Sequence, residues 1–271
     1  MPQVLIDDGV ALVYDDFGPT DGIPVVLCHA VTLAGAQFAA DAAFLAGRGY
    51  RVLVPDVRGH GRSGKPSRMD RSAFTIARMA DDLVAMLDHA AVGPVHWVGN
   101  SMGGILGLEL LARHEPRFKS FASFGTLYAL GLPRWGAHAI PWSYTLFGKR
   151  AYAEMAAWGM TSGTAGRNLI AGIVAEFDPE VGLLAGHNLA RYDLMAAAHA
   201  AKLPILLLRG GRDPQANIGL GRTLRVMRRR SNFTLVDLPQ GSHCANLDAT
   251  DMLRQELLQF WQRSEVAGQR T

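Results

Sequence analysis

The sequence predicts an α/β protein: a doubly wound sheet with a helical segment inserted late in the chain. Three observations lead there. Short continuous apolar runs alternate with longer segments of helical spacing. One serine stands between glycines where such a run meets an apolar helix. Between residues 126 and 200 the alternation stops, and helical spacing continues without a convincing strand.

The apolar runs are PVVLC (24–28), RVLVP (51–55), VHWVG (95–99), FASFG (121–125), ILLLR (205–209) and TLVDL (234–238). Continuous runs of this length suit strands covered on both faces, as in a parallel sheet. Upstream, VLI (4–6) and ALVYDD (11–16) read as a hairpin with Asp8-Gly9 as its turn. Ile76, Ala80, Leu83, Leu87 and Ala90 mark one face of a helix. Ile105 to Ala112 is almost entirely apolar and predicts a buried helix. Leu253, Leu257, Phe260 and Trp261 form the stripe of a last helix. Arg228, Arg229 and Arg230 read as the solvated end of a helix.

The interrupted stretch holds Trp135, Trp142 and Trp158 and reads as a helical cap over one end of the sheet. Residues 1–125 and 201–271 then form the core, and 126–200 the cap. Trp135 and Trp142 are nominated as walls of a substrate pocket. The plainer alternative is that these aromatics pack the insertion onto the core.

With 271 residues, 49% hydrophobic and 19% charged, the chain can bury a large core as one domain, or as one domain carrying an insertion. A net charge of +3 gives no footing for a nucleic-acid partner. Cys28 and Cys244 do not make a disulfide framework. The opening MPQVLIDDGV lacks the basic and apolar regions of a secretory signal. No run approaches the ~20 apolar residues that span a bilayer. The expectation is a soluble, cytoplasmic protein with a small-molecule substrate and no membrane partner. Neither a His-Glu-x-x-His spacing nor a Gly-x-x-x-x-Gly-Lys run occurs, so no metal and no nucleotide cofactor is expected.

Glycine costs conformational entropy, so a pair of glycines around one serine needs a reason. In WVGNSMGG a strand, a sharp turn and a helix enclose Gly99-x-Ser101-x-Gly103, the pattern of a nucleophile elbow. A Cβ at 99 or 103 would crowd neighbouring backbone, and the turn would lift Ser101 out at the strand's C-terminal end. The next helix aims its free N–H groups at the same place.

A serine hydroxyl attacks only when a base takes its proton. Chain order in this architecture is serine, acid, histidine. His243, in LPQGSHCAN between the last strand and the last helix, fits that order. His114, His138, His187 and His199 lie in or beside helices, and His89 and His96 sit at the wrong ends of their elements. Asp213, in RGGRDP directly after ILLLR, fits the acid that orients the imidazole. Asp237 belongs to its strand end, and Asp248 follows the histidine in chain order. An oxyanion hole would take one N–H from Met102 and one from the turn His29-Ala30-Val31, with Val31 the choice. His29 itself reads as a buried histidine shaping that turn.

Taken together, these residues resemble the α/β-hydrolase superfamily. The resemblance rests on His29-Ala30, DVRGHGRS (56–63), GNSMGG (99–104), GGRD (210–213) and GSH (241–243), and it spans nearly the whole chain. It implies an eight-stranded, mostly parallel sheet with a helical cap after strand six. Ala30 stands where most relatives carry glycine, so the resemblance bears less on the second oxyanion donor than on the triad. The 56–63 loop is structural in the family.

Within the superfamily, GNSMGG is similar to the elbow of meta-cleavage-product hydrolases, which break carbon–carbon bonds. The compact length, DVRGHGRS, GTLYALGLPRW and SHCANLD look more like the 3-oxoadipate enol-lactonase branch of small esterases and lactonases. Three readings follow: a serine hydrolase of esters or lactones, a carbon–carbon hydrolase with the same triad, and a ligand-binding module on the same fold. Perhydrolase or cofactor-free oxygenase side chemistry suits the same site.

Overall fold

Apolar residues at both odd and even positions require each short strand to be covered twice. The computed structural model, which describes residues 1–133 and 139–268, meets that requirement with two helical layers around one sheet. The strands are β1 (Gln3–Leu5), β2 (Ala11–Phe17), β3 (Ile23–Cys28), β4 (Tyr50–Pro55), β5 (Val95–Asn100), β6 (Phe118–Phe124), β7 (Ala129–Gly131), β8 (Arg191–Asp193), β9 (Ile205–Gly210) and β10 (Phe233–Leu238). Eight of them form one sheet in the order β1-β2-β4-β3-β5-β6-β9-β10. The β1–β2 and β2–β4 pairs are antiparallel, and every other pair in this sheet is parallel.

The first hairpin turns where Gly9 takes a φ of +84°, and the Ile6 N–H closes it onto the Val10 carbonyl at 2.8 Å. Alternation then sorts β3. Val26 and Cys28 join the apolar layer beneath α2 (Ile76–His89) and α3 (Met102–His114), following α1 (Ala39–Ala46) in the chain. Val25 and Leu27 face the other layer, with Phe38, Ala42 and Leu45 around α1. Leu253, Leu257, Phe260 and Trp261 complete that second layer, and all are buried. Burying one such side chain contributes roughly 1.5–3 kcal/mol.

Between β6 and β9 lie α4 (Ala139–Met160), α5 (Thr164–Glu176), α6 (Pro179–Leu189) and α7 (Met195–Ala200). Helix α4 breaks at Gly148, with φ +78° and ψ 161°. A strand-free segment was the sequence expectation, and here the structure differs. β7 and β8 pair antiparallel, Ala129 with Asp193 and Gly131 with Arg191, where the chain leaves and re-enters the core. Strands of three residues are too short to carry a period-two signal. After β9 come α8 (Pro214–Asn217), α9 (Leu220–Met227), α10 (Ala245–Asp248) and α11 (Thr250–Gly268). The chain reaches Arg228 as α9 ends, and Arg228 and Arg229 are exposed.

Polar side chains fix the 56–63 loop. Arg58 is fully buried and forks onto Asp82 with bonds of 2.5 and 2.7 Å. Asp56 accepts the Gly35 N–H at 2.7 Å and the Arg62 Nε–H at 2.6 Å, tying this loop to the turn before α1. His29, His60 and His96 are buried as well. Burial, and then the adjoining His29, push the His60 imidazole down to about 3. Burial, with Lys119 adding to it, takes His96 down to about 3. Burial also lowers His29.

These imidazoles stay neutral in the folded chain and gain protons only on unfolding below the ordinary value of 6.5. Their stabilisation is complete above that value and is lost as the pH falls toward the folded-state values. Each should remove up to about 1.4 kcal/mol per pH unit in that window. Denaturant titrations at about pH 7.5 and about pH 5.5 check this. A lower midpoint in acid is expected, and equal midpoints would contradict neutral burial.

Candidate active site

The turn from β5 into α3 is completed by one residue. Ser101 sits at φ 49° and ψ −111°, a conformation worth about 1–3 kcal/mol of strain for a residue with a side chain. Its N–H donates to the Phe124 carbonyl at 3.0 Å, and its carbonyl accepts the N–H groups of Gly104 and Ile105 at 3.0 Å each. The flanking glycines have the expected cause. A Cβ on Gly103 would overlap the Cys28 carbonyl, and one on Gly99 would overlap the backbone of Gly103 and Gly104. Helix α3 therefore lies directly on the end of β3. Met102 opens α3 and is buried, with its N–H in the unpaired first turn.

Asp213 follows β9 and caps α8, its Oδ1 accepting the Ala216 N–H at 3.1 Å. It is 1% exposed. His243 lies in the loop between β10 and α10. Its Nδ1 is 3.2 and 3.1 Å from the two Asp213 carboxylate oxygens. A carboxylate facing Nδ1 keeps the proton there and leaves the Nε2 lone pair free. The His243 carbonyl accepts the Asn100 Nδ2–H at 2.9 Å, so the residue before Ser101 holds the backbone of the histidine. A Cβ on Gly125 would stand 3.2 Å from His243 Cε1, which places the imidazole against the turn after β6. The ends of β5, β6, β9 and β10 thus meet here.

The competing groups are engaged elsewhere. Asp237 pairs with Arg209 on the surface. His89 bonds the Tyr14 hydroxyl at 2.8 Å, and His96 Nδ1 bonds Ser120 Oγ at 2.7 Å. His114 ends α3, His187 lies in α6 and His199 in α7. Asp248 is a clamp: one oxygen accepts from the Thr161 hydroxyl and the Ser162 and Gly163 N–H groups, the other from the Ser242 N–H.

The loop after β3 is shaped by His29. Its Nε2 accepts the Val57 N–H at 3.0 Å, so Nδ1 carries the proton and donates to the Ala30 carbonyl at 2.8 Å. The Ala30 N–H is occupied by Gln37 Oε1 at 3.2 Å. Among the described residues, the N–H groups of Val31 and Met102 meet no protein acceptor. Thr32, at φ 65°, bends the chain immediately after Val31. The Ala30 methyl joins Leu33, Tyr152, Ile170, Val174 and Cys244 in an apolar cluster that seats α4 and α5 on this loop.

Trp135 lies outside the described residues, as does His138. Trp142, near the start of α4, is 71% exposed. A groove of about 790 Å³ runs between α4 and α5, lined by Ala153, Ala157, Trp158 and Arg167 among others. None of the sequence-predicted site residues among the described residues lines it. Sequence reading missed Asn100, Gln37 and Asn246, buried amides beside the site. Asn100 carried a faint signal, being a polar residue at the end of an otherwise apolar strand.

The model of the alpha/beta hydrolase fold family matches residues 23–159, half of the chain. The chain belongs to the α/β-hydrolase family. The coarse function, a hydrolase, follows from that membership. A putative carbamate hydrolase RutD of Variovorax paradoxus is 29% identical over 267 residues, 94% of this chain and 97% of that one. A non-heme chloroperoxidase of Streptomyces lividans is 38% identical over 119 residues, 43% of this chain; the match spans 41% of the chloroperoxidase. The enol-lactonase structure from Burkholderia xenovorans LB400 superposes with a TM-score of 0.84 at 24% identity, covering 96% of this chain and 99% of that one. A thermophilic esterase from Thermogutta terrifontis gives 0.83 at 22%, covering 97% and 99%. At these identities the two structures share the fold. Among the described residues no helix is long and apolar enough to cross a membrane, and no cluster of three metal-ligating side chains occurs.

The contact between α3 and β3 yields a prediction. Gly103→Ala should lower stability by at least ~2 kcal/mol, because the added methyl meets backbone rather than a movable side chain. A melting curve equal to that of the parent chain would show that α3 does not press on Cys28.

Proposed function

We propose that the chain is a serine hydrolase of carboxylic esters or lactones. The observation that carries this reading is the His243–Asp213 pair, with Nδ1 3.1 Å from the nearer carboxylate oxygen and the His243 backbone bonded to the neighbour of Ser101. In the proposed reaction Ser101 Oγ attacks the substrate carbonyl while His243 Nε2 takes its proton. Asp213 holds the Nδ1–H tautomer and stabilises the imidazolium. The N–H groups of Val31 and Met102 receive the oxyanion. The imidazolium then protonates the leaving alkoxide, and water, activated by the same imidazole, resolves the acyl-enzyme and frees Ser101.

The relatives' names, which include a carbamate hydrolase, an enol-lactonase and an esterase, support attack at a carbonyl bearing a heteroatom leaving group. We read residues 126–200 as a cap that shapes the substrate pocket, with Trp142 a candidate wall and Trp135 a second. This division rests on the position of the segment between β6 and β9 and on its apolar seat above the Val31 loop. The family sheet supports a soluble protein acting on a small molecule.

The test is hydrolysis of short p-nitrophenyl esters and simple lactones. Ser101→Ala should lower kcat by about 10⁶, and Asp213→Asn by about 10⁴, with the fold unchanged by circular dichroism. Turnover by Ser101→Ala at parental rates would remove the mechanism. Activity confined to coloured dienones, with none on esters, would move the assignment to carbon–carbon cleavage.

A further inference from the structure

Gln37 has no place in the chemistry above, yet it is 1% exposed and every polar atom of its side chain is used. It lies in the short turn Gly35–Phe38, just after the Val31 loop. Its Oε1 accepts the Ala30 N–H at 3.2 Å. Its Nε2 donates to Asn100 Oδ1 at 2.7 Å and to Asn246 Oδ1 at 3.2 Å. The backbone donor at Ala30 fixes which end of the amide is oxygen, so the orientation is unambiguous.

The three partners belong to three different parts of the site. Ala30 precedes the proposed oxyanion donor Val31. Asn100 precedes the proposed nucleophile, and its own Nδ2 holds the His243 carbonyl at 2.9 Å and the Phe124 carbonyl at 3.1 Å. Asn246 lies in α10, three residues after His243, and its Nδ2 donates to the Gln37 carbonyl at 3.1 Å and to Asp41 Oδ2 at 2.9 Å. Arg254 of α11 closes the chain on Asp41 at 2.7 Å. Asn100 and Asn246 are as buried as Gln37. The amides give the Ala30 N–H and the Phe124 and His243 carbonyls partners that an apolar cluster would deny them. The β3–β5 ladder already joins the first two parts up to Cys28 and Gly99; what the amides add is a bridge from there to the segment after His243, which shares no ladder with either strand.

We propose that Gln37 is a positioning residue, whose carboxamide sets the spacing between the oxyanion loop, the serine turn and the histidine loop. This rests on the serine-hydrolase reading above. Oxyanion donors act only when they sit about 2.7–3.1 Å from the developing charge. Misplacement by about 1 Å costs on the order of 100-fold in rate. By taking the Ala30 N–H, Gln37 also leaves the next N–H, that of Val31, as the proposed donor.

The experiment compares Gln37→Met and Gln37→Glu with the parent chain on one p-nitrophenyl ester, with active sites counted by a phosphonate that labels the serine. Gln37→Met keeps the length and removes the amide, and kcat per labelled site should fall about 10- to 100-fold with KM changed less than about threefold. Gln37→Glu cannot donate when ionised and regains one donor when protonated. Its kcat relative to the parent should therefore rise as the pH is lowered from about 8.5 to about 6, since a buried carboxyl titrates well above its ordinary value. The titratable neighbours are Asp41, Arg254, Cys244 and His243; a carboxylate at position 37 favours the imidazolium and would depress the ratio toward acid, the opposite sign to the rise expected here. If Gln37→Met does not fold, the pH ratio of Gln37→Glu decides alone. A kcat within about twofold of the parent for Gln37→Met, or a flat ratio for Gln37→Glu, overturns the proposal while Ser101→Ala remains inactive. Turnover by Ser101→Ala overturns the underlying reading instead.

Discussion

At Gly103 main chain meets main chain: α3 rests on the last residue of β3, and an added Cβ would stand 2.0 Å from the Cys28 carbonyl oxygen. That contact dictates the turn before it. β5 must hand over to α3 within one residue, and only a left-handed φ at Ser101 completes the reversal. The strain, about 1–3 kcal/mol, is small beside what surrounds it. All six residues of β5 are buried, as are nine of α3. At roughly 1.5–3 kcal/mol for each large apolar side chain, two or three of them offset one pinched residue. The same packing points the α3 N-terminus at the serine, so the geometry that strains the backbone also brings unpaired N–H groups toward it.

The loops around that turn are held by side chains that do the work of a ladder. His29 bridges the Val57 N–H and the Ala30 carbonyl, and Asp56 bridges Gly35 and Arg62. Each bond satisfies a buried backbone or charged group that would otherwise be costly. Asp248 extends the scheme to the insertion, joining Ser242 to the α4–α5 turn, while the Cys244 N–H donates to Met160 at 2.8 Å. The residues on either side of His243 are therefore both tied to the end of α4. Displacement of α4 pulls directly on the imidazole's loop.

The sheet was legible because its strands are continuous apolar runs, whose burial on both faces leaves a clear mark. The tight turn at Ser101 was legible because glycines on both sides of one residue, between a strand and a helix, mark where backbones meet. His243 and Asp213 emerged from chain order and from their place after β10 and β9. The β7–β8 ribbon was not legible, since three residues per strand hold no period and Gly131 and Arg191 are exposed. Nor were the buried amides. Gln37 meets Asn100 across 63 positions and Asn246 across 209, and no local pattern marks a polar residue whose partner lies that far along the chain. Asp248 was read only for what it is not. Its actual use, receiving N–H groups from a turn 85 residues upstream, exists only once the insertion has docked.

Ala30 brings these strands of argument together. In the family pattern glycine stands there, and an added methyl needs space. The structure supplies it by turning the methyl into the cluster of Leu33, Tyr152, Ala157, Ile170, Val174 and Cys244. Three parts of the chain share that cluster: the loop with the proposed oxyanion donor, the loop of His243, and the helices of the insertion. A side chain exchanged in α4 or α5 to suit a different substrate would thus shift Ala30 and Cys244 as well as the pocket wall. On the proposed reading, substrate choice and rate are set by one apolar body and cannot be tuned separately. The buried amides beneath it then act as the stiff floor against which that body is adjusted.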